Sequence, residues 1–467
     1  MSPAKSYFMS GIGGSGMLPL ALILRARAHE VAGSDRSLDQ GRLGAKFEYL
    51  KSQGIALFPQ DGSGVTGADQ ILVRSAAVED TVGDVVAAKR VGARDMKRPE
   101  LLAELFNSAP VRIGVAGTSG KSTTTGMIAW MLYRAGRDPT VMNGAVMNNF
   151  VTPDALFASA LVGRGDAFVS EVDESDGSIA SYEPTIAVVN NIALDHKSMD
   201  ELRALFAGFV GKAEIAVLNL DNEETATLVM KTKVRTRTYS LRSGLADLHC
   251  SAIRLAPDGV SFDVLEKDTR NTATVDLAVP GEHNVANALA ALSAARAYGL
   301  SLKDAAEALQ GFSGTKRRLE VVGTANGVTV IDDFAHNPDK ITATLATLHA
   351  FSGRLLIMFQ PHGFGPLKLM RQEFIDTFAT HMGGDDVLIM PDPVYYGGTT
   401  DKSVTSEHIV SGVRARGLQA MAFAERAACG DKLLELAEPT DRIIIMGARD
   451  DTLSTFAAEL VQRLAKQ

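Results

Sequence analysis

Lys121 and Ser122 sit where an apolar run, residues 111–115, ends and a helical pattern, residues 126–133, begins. Between the two lies Ala116-Gly-Thr-Ser-Gly120, so the order is strand, glycine-rich turn, Lys-Ser, helix. Backbone N–H groups of such a turn, and of the helix start behind it, converge on bound phosphates. A lysine there screens β/γ charge, and the neighbouring hydroxyl ligates Mg²⁺. The segment therefore predicts an ATP site built from Gly117, Thr118, Ser119, Gly120, Lys121, Ser122 and Thr123. Val115 stands where the longer phosphate-loop pattern has its first glycine, which leaves the shorter form Gly-Thr-x-Gly-Lys-Ser.

Four further groupings carry chemistry. Glu171-Val-Asp-Glu-Ser-Asp176 closes a strand expected over 166–172 with four carboxylates, and oxygen ligands beside a phosphate loop suit Mg²⁺. Glu171 or Asp173 is the natural first ligand. Asp195-His196 closely follows the apolar strand expected over 185–190. Arg317-Arg318 falls where a second domain gives way to a third, as a solvated linker or as an arginine for the γ-phosphate. Asp332-Asp-Phe-Ala-His-Asn-Pro338 ends another strand; its proline suits the first position of a helix, and Asp333 and His336 remain nucleotide candidates.

The elements that would position these groups alternate strand and helix. A strand over 6–10, the turn Gly11-Ile-Gly-Gly-Ser-Gly16, a helix over 17–24 and a strand at 31–32 form a βαβ unit, with Asp35 about 20 residues on. Alone, that pattern suggests a dinucleotide site. Residues 240–277 alternate and predict β-hairpins, after which Gly281-Glu-His-Asn-Val-Ala-Asn287 opens an alanine-rich helix. Strands over 328–332, 355–359, 387–390 and 443–446, alternating with helices, predict a doubly wound parallel sheet. The expected architecture is α/β in three domains: a Rossmann-like domain (1–109), a central P-loop ATPase-type domain (110–316) and a C-terminal doubly wound domain (317–467).

Composition narrows the class. A chain of 467 residues is too long for one core. Hydrophobic content of 46%, charged content of 22% and a net charge of −8 fit a globular protein and argue against bulk nucleic-acid or anionic-membrane binding. Two distant cysteines imply no disulfide framework, and no apolar run reaches membrane-spanning length. The expectation is a cytoplasmic monomer or homodimer, with no nucleic-acid partner and no membrane insertion.

Taken together, these residues resemble the Mur ligases, ATP-dependent amide-forming enzymes of peptidoglycan precursor synthesis. The resemblance rests on Gly11-Ile-Gly-Gly-Ser-Gly-Met17, Gly117-Thr-Ser-Gly-Lys-Ser122, Glu171-Val-Asp-Glu-Ser-Asp176, Asn191-Ile-Ala-Leu-Asp-His196, Gly281-Glu-His-Asn-Val-Ala-Asn287, the turn from Thr315 to Arg318, Asp333-Phe-Ala-His-Asn-Pro338 and Phe359-Gln-Pro-His362. It is strongest to the alanine-adding branch, with the murein-peptide branch close. The resemblance implies that Gly11, Ile12, Gly13, Gly14, Ser15 and Gly16 hold the diphosphate of a UDP-sugar, with Asp35 and Ser75 nearby, rather than a dinucleotide. It implies Lys121, Glu171, His196 and Arg318 as catalytic residues. Ser122, Glu171 and His196 would ligate Mg²⁺. Asn284 and Asn287 would face adenine, Arg318 the γ-phosphate, and Asp333 and His336 the ribose and phosphates. The implied reaction joins the carboxylate of UDP-N-acetylmuramate to an amino acid, with L-alanine expected, through an acyl phosphate.

The chain departs from that branch in three places. His362-Gly-Phe-Gly-Pro-Leu-Lys368 lacks the two arginines of the Arg-Tyr-Thr-Arg that follows this histidine there, position 119 is serine rather than histidine, and the last strand ends in Gly447-Ala-Arg-Asp-Asp451. His362 and Arg449 are therefore the expected amino-acid pocket, with Arg449 able to replace a lost arginine. The alternatives are a ligase of the same fold that uses another amino acid or a murein peptide, and a non-catalytic homologue that binds UDP-sugar or ATP.

Overall fold

The alternation of apolar runs and glycine turns produces three sheets in the computed structural model, which describes residues 4–75, 78–194, 197–394, 401–448, 450 and 452–467. The first sheet has five parallel strands in the order Ala56–Phe58, Glu30–Ser34, Ser6–Ser10, Gln70–Arg74, Arg94–Lys97. The central strand, Ser6–Ser10, is buried along nearly its whole length, as a parallel strand covered on both faces must be. Asp84 is fully buried under this sheet and accepts from Ser10 Oγ at 2.7 Å, from Ser34 Oγ and from Gly62 N at 3.1 Å. Three donors satisfy a carboxylate that burial would otherwise penalise.

The second sheet has ten strands, and Val111–Ala116 lies between Ile186–Val189 and Ala167–Glu171, parallel to both. That register sets the phosphate loop, the end of Ala167–Glu171 and the end of Ile186–Val189 side by side at the carboxyl ends of adjacent strands, where open α/β sheets collect ligands. The stretch expected to form hairpins supplies three neighbouring strands at one edge, Leu248–Ala256, Gly259–Glu266 and Thr272–Leu277.

The first two sheets share one apolar core that runs from Tyr7 to Leu228. Phe106 packs against Phe168 and Tyr182 with ring centroids 5.7 and 5.2 Å apart, and Asn107 bonds both Ser181 O and Glu183 N. The chain accordingly divides into two compact units. One runs to Ile253 and adds Ser261–Ala278 and Asn284–Gly314; the other comprises Arg254–Val260, Val279–His283 and Thr315–Gln467.

The second unit holds a six-stranded sheet in the order Glu320–Ala325, Val328–Asp333, Arg442–Gly447, Leu355–Gln360, Val387–Pro391, Gln419–Phe423. It departs from the all-parallel expectation at one edge: Glu320–Ala325 pairs antiparallel with Val328–Asp333. The two residues between them, Asn326 and Gly327, both have positive φ, which closes a hairpin too tight for a crossover. Between the strands Leu355–Gln360 and Val387–Pro391 the chain forms two helices, Phe364–Leu369 and Arg371–His381, meeting at Met370. No helix among the described residues is long and apolar enough to cross a membrane.

Candidate active site

The phosphate loop is held from below by the next strand's end. Thr118 N donates to Asn191 O at 3.1 Å and Ser119 N to Asn191 Oδ1 at 2.9 Å, while Ala193 N donates to Thr118 Oγ1 at 2.9 Å. Gly120 has φ +82°, and a Cβ there would come within 2.2 Å of Asn287 Oδ1, so only glycine fits. Asn190 Nδ2 donates to Thr124 Oγ1 at 2.9 Å and Asn287 Nδ2 to Asn284 Oδ1 at 3.1 Å. Asn284 and Asn287 are therefore buried at the side of the loop, on the helix Glu282–Tyr298.

Lys121 opens the helix Lys121–Arg134, and its ammonium donates to Gly117 O at 2.7 Å and to Glu174 Oε2 at 3.0 Å. Burial works against its charge, but Glu174, Glu171 and Asp173 outweigh burial and hold the ammonium above the ordinary lysine value. Ser122 Oγ donates to Glu171 Oε2 at 2.8 Å, and Gly144 N donates to the same oxygen at 2.9 Å. Asn143 Nδ2 fixes the Ser122 carbonyl at 3.0 Å. Asp173 and Asp176 instead close turns, each accepting from a backbone N–H two residues on. Of the four carboxylates, Glu171 reaches the serine and Glu174 reaches the lysine. The role of Glu174 was not legible in the sequence, because alternation ends with the strand and gives no direction to residues beyond it.

Among the described residues no three His, Cys, Asp or Glu side chains close on one point as a metal cage. Mg²⁺ does not require one, since it keeps waters and takes one or two carboxylates together with phosphate oxygens. Ser122 and Glu171 fit that partial shell. His196, the other expected ligand, lies outside the described residues, as does Arg449.

At the first glycine loop, Gly11 N and Ile12 N donate to Ser34 O at 2.9 and 3.0 Å, Gly13 N to Asp35 Oδ2 at 2.9 Å, and Gly14 N to Gly11 O at 3.1 Å. Asp35 also caps the helix Arg36–Asp39 through Ser37 N at 2.7 Å. Ser75 N reaches Ser10 O at 3.3 Å, and its Oγ lies beside Gly11. Ser15 and Gly16 complete the turn before the helix Met17–Ala26.

In the second unit, the linker reading of Arg317 is overturned. Arg317 is buried, with bonds to Asp332 Oδ1 (3.3 Å), Gly447 O (2.7 Å) and Asp450 O (3.2 Å). Its neighbour Arg318 lies over the Phe334 ring at 4.6 Å. Asp333 accepts from Leu319 N at 3.0 Å and Thr344 Oγ1 at 2.6 Å, so it fastens the turn that carries Arg318. Asn337 caps the helix Pro338–His349, as the proline at its start suggested. His336 Nδ1 lies 2.8 Å from Phe334 O; a carbonyl only accepts, so Nδ1 carries the proton and Nε2 the lone pair. Burial, then Lys340, keep this imidazole well below the ordinary histidine value, and the His362 ring packs edge-on to it at 5.3 Å.

One arginine escaped the sequence reading. Arg426 Nη1 reaches Asp450 Oδ2 at 2.9 Å and Gln360 Oε1 at 3.3 Å, and Nη2 reaches Thr452 Oγ1 at 2.8 Å. It thus stands at the ends of the adjacent strands Leu355–Gln360 and Arg442–Gly447. Nothing in its neighbours along the chain signals this, since the contact is made only by the sheet order.

Three family descriptions cover the chain in turn: the Mur ligase family catalytic domain over residues 7–109, the Mur ligase middle domain over 115–295, and the glutamate ligase domain over 317–449. The chain belongs to the Mur ligase family. It is 35% identical to the UDP-N-acetylmuramate–L-alanine ligase of Geobacter sp. (strain M21), over 94% of this chain and 93% of that protein. In fold it is similar to the UDP-N-acetylmuramate-alanine ligase of Thermotoga maritima, with TM-score 0.79 and 22% identity over 99% of each chain. It is also similar to a murein peptide ligase of Psychrobacter arcticus, with TM-score 0.75 and 25% identity over 99% of each chain. This Mur ligase therefore has the three-domain α/β architecture of its relatives, one sheet to each domain.

Proposed function

We propose that this Mur ligase forms an amide between the carboxylate of UDP-N-acetylmuramate and an amino acid, L-alanine, driven by ATP with Mg²⁺. The observation that carries the reading is the paired arrangement at the central loop, Lys121 on Glu174 and Ser122 on Glu171. Identity to UDP-N-acetylmuramate–L-alanine ligases along nearly the whole chain supports the substrate. ATP would supply the phosphoryl group that makes the lactyl carboxylate electrophilic as an acyl phosphate, and Mg²⁺ the charge neutralisation.

The residues' own tasks follow from their contacts. Lys121 would leave Glu174 to donate to a phosphate oxygen, keeping its bond to Gly117 O. Ser122 and Glu171 would hold Mg²⁺, oriented by Asn143 and by Gly144 N–H. The glycine turn at 11–16 would take the UDP moiety, with Asp35 and Ser75 beside it. Arg318, presented by the turn that Asp333 fastens, is assigned to the γ-phosphate, and His336 to the nucleotide. His362 is assigned to the amine pocket. Domain limits at 109/110 and 316/317 and a cytoplasmic location belong to the same reading.

The test is release of phosphate from ATP by the whole chain, measured with and without UDP-N-acetylmuramate and across a panel of amino acids and short peptides, with product masses. Release that needs both the nucleotide sugar and L-alanine, with an alanyl product, is the expected result. Release supported only by a peptide or another amino acid moves the chain to another amine, and no release at all favours a binding homologue.

A further inference from the structure

We propose that Arg98 is the counter-ion of the nucleotide sugar's diphosphate, lying between the first glycine turn and the acidic run of the central domain. The proposal rests on the reading of residues 11–16 as the UDP-sugar loop.

Arg98 begins the helix Arg98–Asn107, directly after the edge strand Arg94–Lys97. A Cβ on Gly16 would come within 3.1 Å of Arg98 Cδ, 3.3 Å of Nη1 and 3.4 Å of Cζ. This arginine therefore lies directly over the third glycine of the motif, and a side chain there would press on it. On its other side, Nη2 lies 3.7 Å from Asp176 Oδ2, an attraction but too long for a hydrogen bond. The Arg98 side chain is 23% exposed, and its guanidinium makes no hydrogen bond to a described residue. A guanidinium carries five donors, and here they are left open to an arriving acceptor.

The turn itself needs such help. The N–H groups of Gly11, Ile12, Gly13 and Gly14 are already spent on Ser34 O, Asp35 and Gly11 O. Of the turn's backbone donors that leaves Ser15 N and Gly16 N at the helix start for a diphosphate, fewer than its oxygens can accept, so a side-chain cation has a task there. Lys46, the other nearby cation, has its ammonium on Gly13 O at 3.0 Å. An arginine fork matches paired phosphate oxygens, and Asp176 keeps the guanidinium charge from being stranded when the site is empty.

The experiment compares UDP with uridine as ligands of the full-length chain, by calorimetry or competition NMR, in wild type, Arg98→Ala and Arg98→Lys. Arg98→Ala should weaken UDP on the order of 10- to 100-fold and leave uridine within about twofold, because a charge-assisted bond is lost and the base contacts are not. Arg98→Lys, with charge but no fork, should fall between. Equal weakening of UDP and uridine, or unchanged UDP affinity, would overturn the proposal. Should Arg98→Ala fail to fold by circular dichroism, Arg98→Lys decides alone, and wild-type UDP affinity in that variant overturns it. A wild-type chain that binds neither UDP nor uridine sinks the UDP-sugar reading itself, a result distinct from any effect of Arg98.

Discussion

The ammonium of Lys121 is 3.0 Å from Glu174 Oε2, a contact between residues 53 positions apart made beside the glycine-rich turn. The lysine is thus already paired, with both side chains largely buried. Glu174 balances the lysine, and under the ATP reading proposed above it would compete with a triphosphate for the same charge.

Replacing Glu174 with glutamine should therefore tighten nucleotide. In Mg²⁺-free buffer, the affinity for ADP measured by calorimetry should rise, on the order of tenfold for one lost like-charge contact at an effective dielectric of about 20. A weaker affinity would show that Glu174 shapes the turn rather than competing for the lysine.

Lys121→Ala should lower phosphate release by on the order of 10²–10³ or more, the cost of losing one preorganised electrostatic group. Binding of UDP-N-acetylmuramate, followed by calorimetry, should be unchanged. Turnover close to wild type refutes the role given to this lysine.

Glu171→Gln should raise the Mg²⁺ concentration needed for half-maximal activity by on the order of 10- to 100-fold, since it halves the protein's share of a sparse ligand set. The measurement is a Mg²⁺ titration at fixed ATP. An unchanged midpoint would place the ion elsewhere.

His336 makes the second unit acid-sensitive. Its imidazole is held neutral by burial first, and by the positive charges of Lys340, His362 and Arg318. The unfolded chain takes up its proton near the ordinary value of 6.5, while the folded chain does not, so the unfolded state binds more protons below that pH. Stability is full above about pH 6.5 and falls as pH drops, by at most about 1.4 kcal/mol per pH unit for a single proton. Thermal melts between pH 7 and 5 should show the fall, and His336→Gln should flatten it. A His336 resonance that titrates normally by NMR would contradict the assignment.

Asp84→Ala should destabilise the first sheet by about 3 kcal/mol, because Ser10, Ser34 and Gly62 would each keep a buried donor with no acceptor. Hydrogen exchange at the amides of residues 11–16 is the local readout, and unchanged protection there would count against it.

Local pattern was enough to read the strand-turn-helix around Lys121, the first glycine turn, the three α/β segments and the asparagine-proline helix start. Those features depend on neighbours within a few positions: apolar runs, glycines that permit the turn, and a lysine-serine pair fixed at a helix start. The family motifs added expected roles for Asn284, Asp333 and His336. Sheet order decided the rest. It set Val111–Ala116 between Ala167–Glu171 and Ile186–Val189, which alone brings Glu171 to Ser122 and Glu174 to Lys121. It also buried Arg317 while leaving Arg318 on Phe334, and brought Arg426 to Gln360 and Asp450. A linear pattern specifies which way a strand faces, but not which strand will lie beside it. The partner of a charged side chain beyond a strand's last residue is therefore fixed only when the sheet is assembled.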